Sequence, residues 1–224
     1  MARALAPLRD DPSRAAVLLD FDGTLSPIVP RPEDAVLVEG AREAIAALVG
    51  RYRLVGFVSG RGLADLEARV AIPGLAYAGN HGMELRRADG ERLVDPAAAP
   101  WVPRIAELGR AFDAEQLDAE GVTLEDKVVT LSFHTRRAPD PERAERFLET
   151  RVRPAAEALG LRPTPGRKVL EIRPPARVDK GTAARALVDA VGVEAATYIG
   201  DDRTDADAWR ALRELRHAGR LRHA

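Results

Sequence analysis

The chain has 224 residues, 46% hydrophobic and 31% charged, a composition that excludes disorder over its whole length and suits a core domain carrying an inserted module. Its 34 basic and 35 acidic residues give a net charge of -1, so no global field draws it to nucleic acid or to a membrane. There is no cysteine, which removes disulfides, thiolate nucleophiles and cysteine-held metals together. No apolar run approaches the roughly 20 residues of a membrane span, and the first residues lack an apolar segment of signal-peptide length. A cytoplasmic protein is expected.

The first dozen residues and the last few are expected to be mobile. AAVLLDFD at 15–22 is a short apolar run ending in carboxylates, without the alternation of a half-exposed strand, as for a strand buried on both faces of a parallel sheet. A helix follows over 39–49, with Ala41, Ile45, Leu48 and Val49 on one stripe. A second buried strand ends at Ser59, a short helix runs from Leu63 to Val70, and a third strand ends at Asn80. This β-α-β-α-β order predicts a doubly wound, Rossmann-like α/β core whose strand C-termini carry the chemistry. MELRRADGERLV then reads as a hairpin turning at Asp89-Gly90. A helix over 101–118, a strand or hairpin in VTLEDKVVTLSFHTR, a helix from Pro141 to Leu159 and two strands around Pro165-Gly166 follow. That order predicts a small α+β cap with an antiparallel sheet at 98–173, inserted in a core made of 1–97 and 174–224. The core resumes with a helix after Lys180, a strand at 197–200 and a helix from Thr204 to Leu215.

Asp20 and Asp22, in LLDFDGTL, stand two apart at a strand end and in extended geometry project to the same side. Two like charges so close are costly unless a cation or proton lies between them. Gly23 and Thr24 turn the chain in a way that can aim backbone N–H groups at an anion. A carboxylate nucleophile, a second carboxylate as acid and base, and a divalent cation make a phosphoryl-transfer site without cysteine or serine. The competing reading is an Asp-rich loop that caps the next element. GDDRTDADAW at 200–209 puts Asp201, Asp202 and Asp205 at the entry to a helix, where capping accounts for one or two acids but not the cluster. Only three basic residues are lysine, Lys127, Lys168 and Lys180, so a lysine kept against an arginine bias is a candidate for chemistry.

Four ordered motifs, DFDGT at 20–24, Ser59 in VSGR, Lys180 in DKG and GDDRTD at 200–205, resemble those of haloacid dehalogenase superfamily phosphatases. NHGMELR at 80–86, LEDK at 124–127 and LEIRP at 170–174 narrow the resemblance to the trehalose-6-phosphate phosphatases, over about residues 15–215. The resemblance implies Asp20 as nucleophile, forming an aspartyl-phosphate, and Asp22 as general acid and then base. It implies Mg²⁺ held by Asp20, the Asp22 backbone carbonyl and Asp201, supported by Asp205. Ser59 would hold phosphoryl oxygens and Lys180 would offset charge, with a strand-to-helix turn and a solvated helix face as their competing readings. Gly23, Thr24, Arg61, Asn80, His81 and Gly82 are expected along the substrate path. The resemblance makes the inserted module a cap that closes over the sugar, with Glu125, Lys127 and Glu171 holding the distal glucose through its hydroxyls, against cross-strand ion pairing on an exposed sheet. Its hinges are expected near 96–100 and 173–177. Asn80, the chain's only asparagine, also suits a plain turn before Gly82. His134 is read as core or interface.

The implied activity is hydrolysis of trehalose 6-phosphate, with no nucleic acid or membrane partner and a monomer as the working assembly. The alternatives are a phosphatase of another sugar phosphate and a truncated phosphosugar-binding protein without turnover. Relatives of this kind continue past the helix after GDDRTD, so TYIG is expected to be poorly covered here.

Overall fold

The computed structural model describes residues 6–224, and statements of number or absence below refer to these. They divide into two compact units, one made of the described residues up to Asp95 together with Val178–Ala224, the other Pro96–Arg177.

In chain order the first unit contains α1 (Ala6–Asp10), β1 (Ala15–Leu19), α2 (Ala41–Val49), β2 (Leu54–Val58), α3 (Leu63–Val70), β3 (Ala76–Gly79), β4 (Glu84–Arg86) and β5 (Arg92–Val94). The second contains α4 (Val102–Arg110), α5 (Ala114–Ala119), β6 (Thr123–Asp126), β7 (Leu131–His134), α6 (Pro141–Phe147), α7 (Arg153–Ala158), β8 (Arg162–Gly166) and β9 (Val169–Arg173). The chain then returns to the first unit with α8 (Lys180–Val191), β10 (Ala195–Ile199) and α9 (Asp205–His217).

The core sheet has the order β10-β1-β2-β3-β4-β5, parallel from β10 to β3 and antiparallel beyond. Every residue of β1 is buried, because alternate side chains enter two different apolar clusters. Ala16 and Leu18 pack with Ala184, Leu187 and Leu212 of α8 and α9. Val17 and Leu19 pack with Ile45 and Leu66 of α2 and α3. Helices on both faces thus explain why the sequence shows a continuous apolar run there. Fully burying one such leucine contributes about 1.5–3 kcal/mol, and the two clusters together fix the height at which β1 ends.

The second sheet is antiparallel throughout, in the order β6-β7-β9-β8. Leu124, Phe133 and Leu170 share one register row and belong to the apolar cluster of this unit, with Leu108 and Phe112. The alternate row, Glu125, Ser132, Glu171 and Thr164, therefore lies on the opposite face.

Three expectations need correction. The helix expected over 101–118 is two helices, because Asp113 caps α5 by accepting from the Gln116 N–H at 2.7 Å. The helix from Pro141 is continuous in direction but passes through a π-helical turn at Leu148–Val152, just before Pro154, which has no N–H to donate and crowds the preceding turn. The termini, expected to be mobile, make specific contacts where described: Leu8 packs with Ala15 and Ala195, and the His223 carbonyl accepts from Ala196 N–H at 3.1 Å. For the first dozen, the part at residues 1–5 lies outside the described residues. TYIG forms the sheet edge, with Ile199 half exposed.

Candidate active site

The parallel strands deliver their C-terminal ends to one edge of the core, and the charged side chains collect there. Asp20 follows β1 directly, its N–H bound to the Ile199 carbonyl at 2.8 Å, and it is 3% exposed. Phe21 turns into the apolar cluster, which leaves Asp20 and Asp22 flanking it. The Phe21 carbonyl then accepts from both Leu25 N–H (3.0 Å) and Ser26 N–H (2.9 Å), closing the turn. Gly23 has φ +84 in this turn, and a Cβ there would collide with the Asp201 carboxylate. Thr24 Oγ1 donates to Asp201 Oδ1 at 2.8 Å, so the loops after β1 and β10 are joined at Asp201.

Lys180 is the first residue of α8, whose start is fixed by a reciprocal capping pair between Asp179 and Thr182. Lys180 is 3% exposed, and its ammonium lies 2.9 Å from Asp20 Oδ1 and 2.7 Å from Asp205 Oδ1. Asp205, fully buried, also accepts from the Tyr198 hydroxyl at 2.6 Å and, through Oδ2, from the Asp202 N–H at 2.7 Å. Burial alone would raise the Asp205 pKa, but these hydrogen bonds outweigh it and hold the carboxyl below its usual range. Asp20 goes the other way: burial pushes it up to about 6 despite Lys180. The buried Tyr198 phenol is pushed upward by burial and by donating to Asp205, and stays protonated.

Asp20, Asp201 and Asp205 each offer an oxygen, all within 4.8 Å of one another. Of these carboxylates, Asp20 and Asp205 meet the Lys180 ammonium. Oxygen donors with excess negative charge suit a hard divalent cation, and the seat that Gly23 leaves for Asp201 fits that role. Both Asp205 oxygens are already engaged, by Lys180, Tyr198 and the Asp202 N–H.

The loops after β2 and β3 complete the edge. Ser59 is 1% exposed, and its hydroxyl accepts from Arg61 N–H at 3.2 Å. Asn80 and His81 both have positive φ, 49 and 58, which costs strain at non-glycine residues. The turn is held by Asn80 N–H to the Arg61 carbonyl (2.7 Å), His81 N–H to the Ser59 carbonyl (2.9 Å), and Asn80 Nδ2 to Glu84 Oε2 (2.5 Å). The His81 ring then lies over Gly60, where a Cβ would stand 2.8 Å from it. A pocket of about 300 Å³ is lined by Asp20, Asp22, Ser59, His81, Lys180 and Asp201, among others.

Two of the residues singled out have partners that the sequence does not show. Arg61, expected along the substrate path, directs its guanidinium to Asp22, Asp65 and the Pro32 carbonyl. His134, read as core or interface, lies on the polar face of the second sheet with Nε2 3.0 Å from Glu125 Oε2. Within that unit, Lys127 Nζ is 3.6 Å from Glu125, and Glu171 stands in the same register row two strands away, about 10 Å by strand spacing. Tyr198 and Glu84 were not anticipated: in sequence each looks like an ordinary strand residue.

The trehalose-phosphatase family profile matches residues 18–222. A Mycobacterium tuberculosis protein named an uncharacterized glycosyl hydrolase is 41% identical over 207 residues, covering 89% of this chain and 15% of that protein. The trehalose-phosphate phosphatase of Mycobacterium marinum is 38% identical over 204 residues, covering 89% of this chain and 52% of that enzyme. The solved C-terminal domain of Candida albicans trehalose-6-phosphate phosphatase shares the fold, with a TM-score of 0.67 at 24% identity, covering 96% of this chain and 78% of that one. The chain thus spans about half the length of the M. marinum enzyme. No helix among the described residues is long and apolar enough to cross a membrane. The ordered motifs, the fold and a match over nearly all of its length together mean that the chain belongs to the trehalose-phosphatase family.

Proposed function

We propose that the chain hydrolyses trehalose 6-phosphate to trehalose and phosphate through an aspartyl-phosphate on Asp20, in the cytoplasm and as a monomer. The observation that carries this reading is the buried Asp20 carboxylate, opening into the pocket beside Asp22 and Ser59 with Lys180 at 2.9 Å. An Asp20 oxygen attacks phosphorus as the bond from phosphorus to the sugar oxygen breaks, and Asp22 gives that oxygen its proton. Water then attacks phosphorus, passing a proton to Asp22, and the bond to Asp20 breaks to release phosphate. Lys180 offsets the charge of Asp20 and of the transferring group, while Ser59 donates to a phosphoryl oxygen. A divalent cation, which we assign as Mg²⁺, would be held by Asp20, Asp201 and the Asp22 backbone carbonyl, and would neutralise charge that the dianionic substrate otherwise meets.

Gly23, Thr24, Asn80, His81 and Gly82 shape the path of the phosphosugar in this reading. Glu125, Lys127 and Glu171 hold sugar hydroxyls, since an uncharged disaccharide offers only hydrogen bonds and carboxylates accept well. The test is phosphate release from trehalose 6-phosphate beside glucose 6-phosphate and sucrose 6-phosphate, with Mg²⁺ and with EDTA. Selective, cation-dependent release that Asp20→Asn abolishes is expected. Glu171→Gln should raise KM for trehalose 6-phosphate while leaving turnover of p-nitrophenyl phosphate intact. Equal rates on all three sugar phosphates would overturn the substrate assignment.

A further inference from the structure

We infer that Arg61 is a positioning residue for Asp22 and does not itself bind the phosphoryl group. Its guanidinium meets the Asp22 carboxylate as a fork, with Nε donating to Oδ2 and Nη2 to Oδ1, both at 2.7 Å. Such a two-point contact fixes the rotation of the carboxylate as well as its distance. Nη1 is committed elsewhere, to Asp65 Oδ2 at 2.8 Å and the Pro32 carbonyl at 3.0 Å. Four of the five donors of the guanidinium are therefore engaged within the protein.

The fork is itself anchored. Asp65 accepts from Arg69 Nε through both oxygens, at 2.8 and 2.9 Å, and Arg69 Nη1 donates to the Glu33 and Ala35 carbonyls at 3.0 and 2.8 Å. Asp22, Arg61, Asp65 and Arg69 so form an alternating chain of charges that ends on backbone. Phe21 lies under the guanidinium, 5.2 Å from ring centroid to central carbon, and stops it from sinking. The Arg61 backbone is pinned as well, its N–H on Ser59 Oγ and its carbonyl accepting from Asn80. Arg61 is almost buried, with its side chain 11% exposed, against 35% for Asp22. Asp22 lines the pocket, whereas Arg61 is not among its lining residues.

The inference rests on the acid and base role proposed for Asp22, and it adds what holds that group in place. Lysine offers a point charge in place of a fork and cannot hold both oxygens in one plane. With Mg²⁺ and trehalose 6-phosphate, Arg61→Lys is expected to lower kcat about 10- to 100-fold with KM within about twofold, the scale of a misplaced reacting group. Asp22→Asn should lower kcat further, and the Asp22→Asn/Arg61→Lys pair should be no slower than Asp22→Asn alone, because Arg61 acts only through Asp22. Binding of inorganic phosphate, followed calorimetrically, should be unchanged in Arg61→Lys and in Arg61→Gln, a measurement that needs no turnover. Weaker phosphate binding, a KM rise at constant kcat, or losses that multiply in the double variant would each overturn the inference while leaving the proposed hydrolysis standing. Full activity in Asp22→Asn would remove the acid and base reading and the inference together.

Discussion

Replacing Asp20 by asparagine should stabilise the cation-free protein at neutral pH while abolishing the proposed hydrolysis. Asp20 is 3% exposed, and burial lifts its pKa from 3.8 to about 6 even though Lys180 stands 2.9 Å away. Between these two values the folded chain holds a proton that the unfolded chain has released. Stability from this group is therefore complete below about pH 4 and falls as pH rises through about 6. A shift of this size corresponds to about 3 kcal/mol at pH 8, which for a chain of this length is roughly 6–12 °C in Tm. Asparagine keeps an oxygen for Lys180 and cannot ionise, so it escapes that cost. Thermal melts in EDTA at pH 5 and pH 8 give the comparison. The unsubstituted chain should melt lower at pH 8, Asp20→Asn should not share that loss, and added Mg²⁺ should raise the pH 8 melt of the unsubstituted chain alone by binding the ionised carboxylate. If both proteins show the same difference between pH 5 and pH 8, Lys180 already balances the buried charge and the reasoning fails.

The remaining predictions concern the groups around Asp20. Gly23→Ala should weaken cation binding at least about tenfold in a calorimetric titration, because its Cβ displaces the Asp201 carboxylate; unchanged affinity would show that Asp201 has another seat. Lys180→Met should cost about 3–5 kcal/mol at pH 8 by urea denaturation, leaving Asp20 and Asp205 buried without their cation, and less at pH 5, where Asp20 takes up a proton. A loss that is equal at the two pH values would assign the cost to packing. Tyr198→Phe removes the donor 2.6 Å from Asp205 and should cost about 1.5–3 kcal/mol in the same assay, whereas no change would mean that Lys180 and the Asp202 N–H suffice for Asp205.

The parts of the fold that were legible in the sequence are those where burial is continuous. β1 and β2 sit between two helical layers, so every side chain is apolar and the strand ends are marked by the first charged or polar residue. The second unit was harder to read because its elements are interrupted by local rules rather than by pattern. Asp113 is one acid among many until its capping bond to Gln116 is seen, and the apolar stripe of the expected helix continues across the break through Phe112. The π-helical turn ahead of Pro154 changes the hydrogen bonding without changing which residues are buried, so periodicity cannot report it.

Legibility of the site follows charge chemistry in the same way. Asp20, Asp22, Asp201 and Asp205 declared themselves because like charges crowded at strand ends demand a reason. Lys180 stood out because lysine is rare in this chain, and its two carboxylate partners supply that reason. Arg61 was expected along the substrate path from its place beside Ser59, but its fork on Asp22 joins two distant segments and becomes visible only in the fold. Tyr198 is an aromatic residue in a strand, the commonest place for one, and its hydroxyl matters only because a helix beginning seven residues later puts Asp205 within 2.6 Å. Residues that carry charge into a reaction can be recognised one segment at a time. Those that hold such residues in place act through contacts between segments, and only the fold determines what they touch.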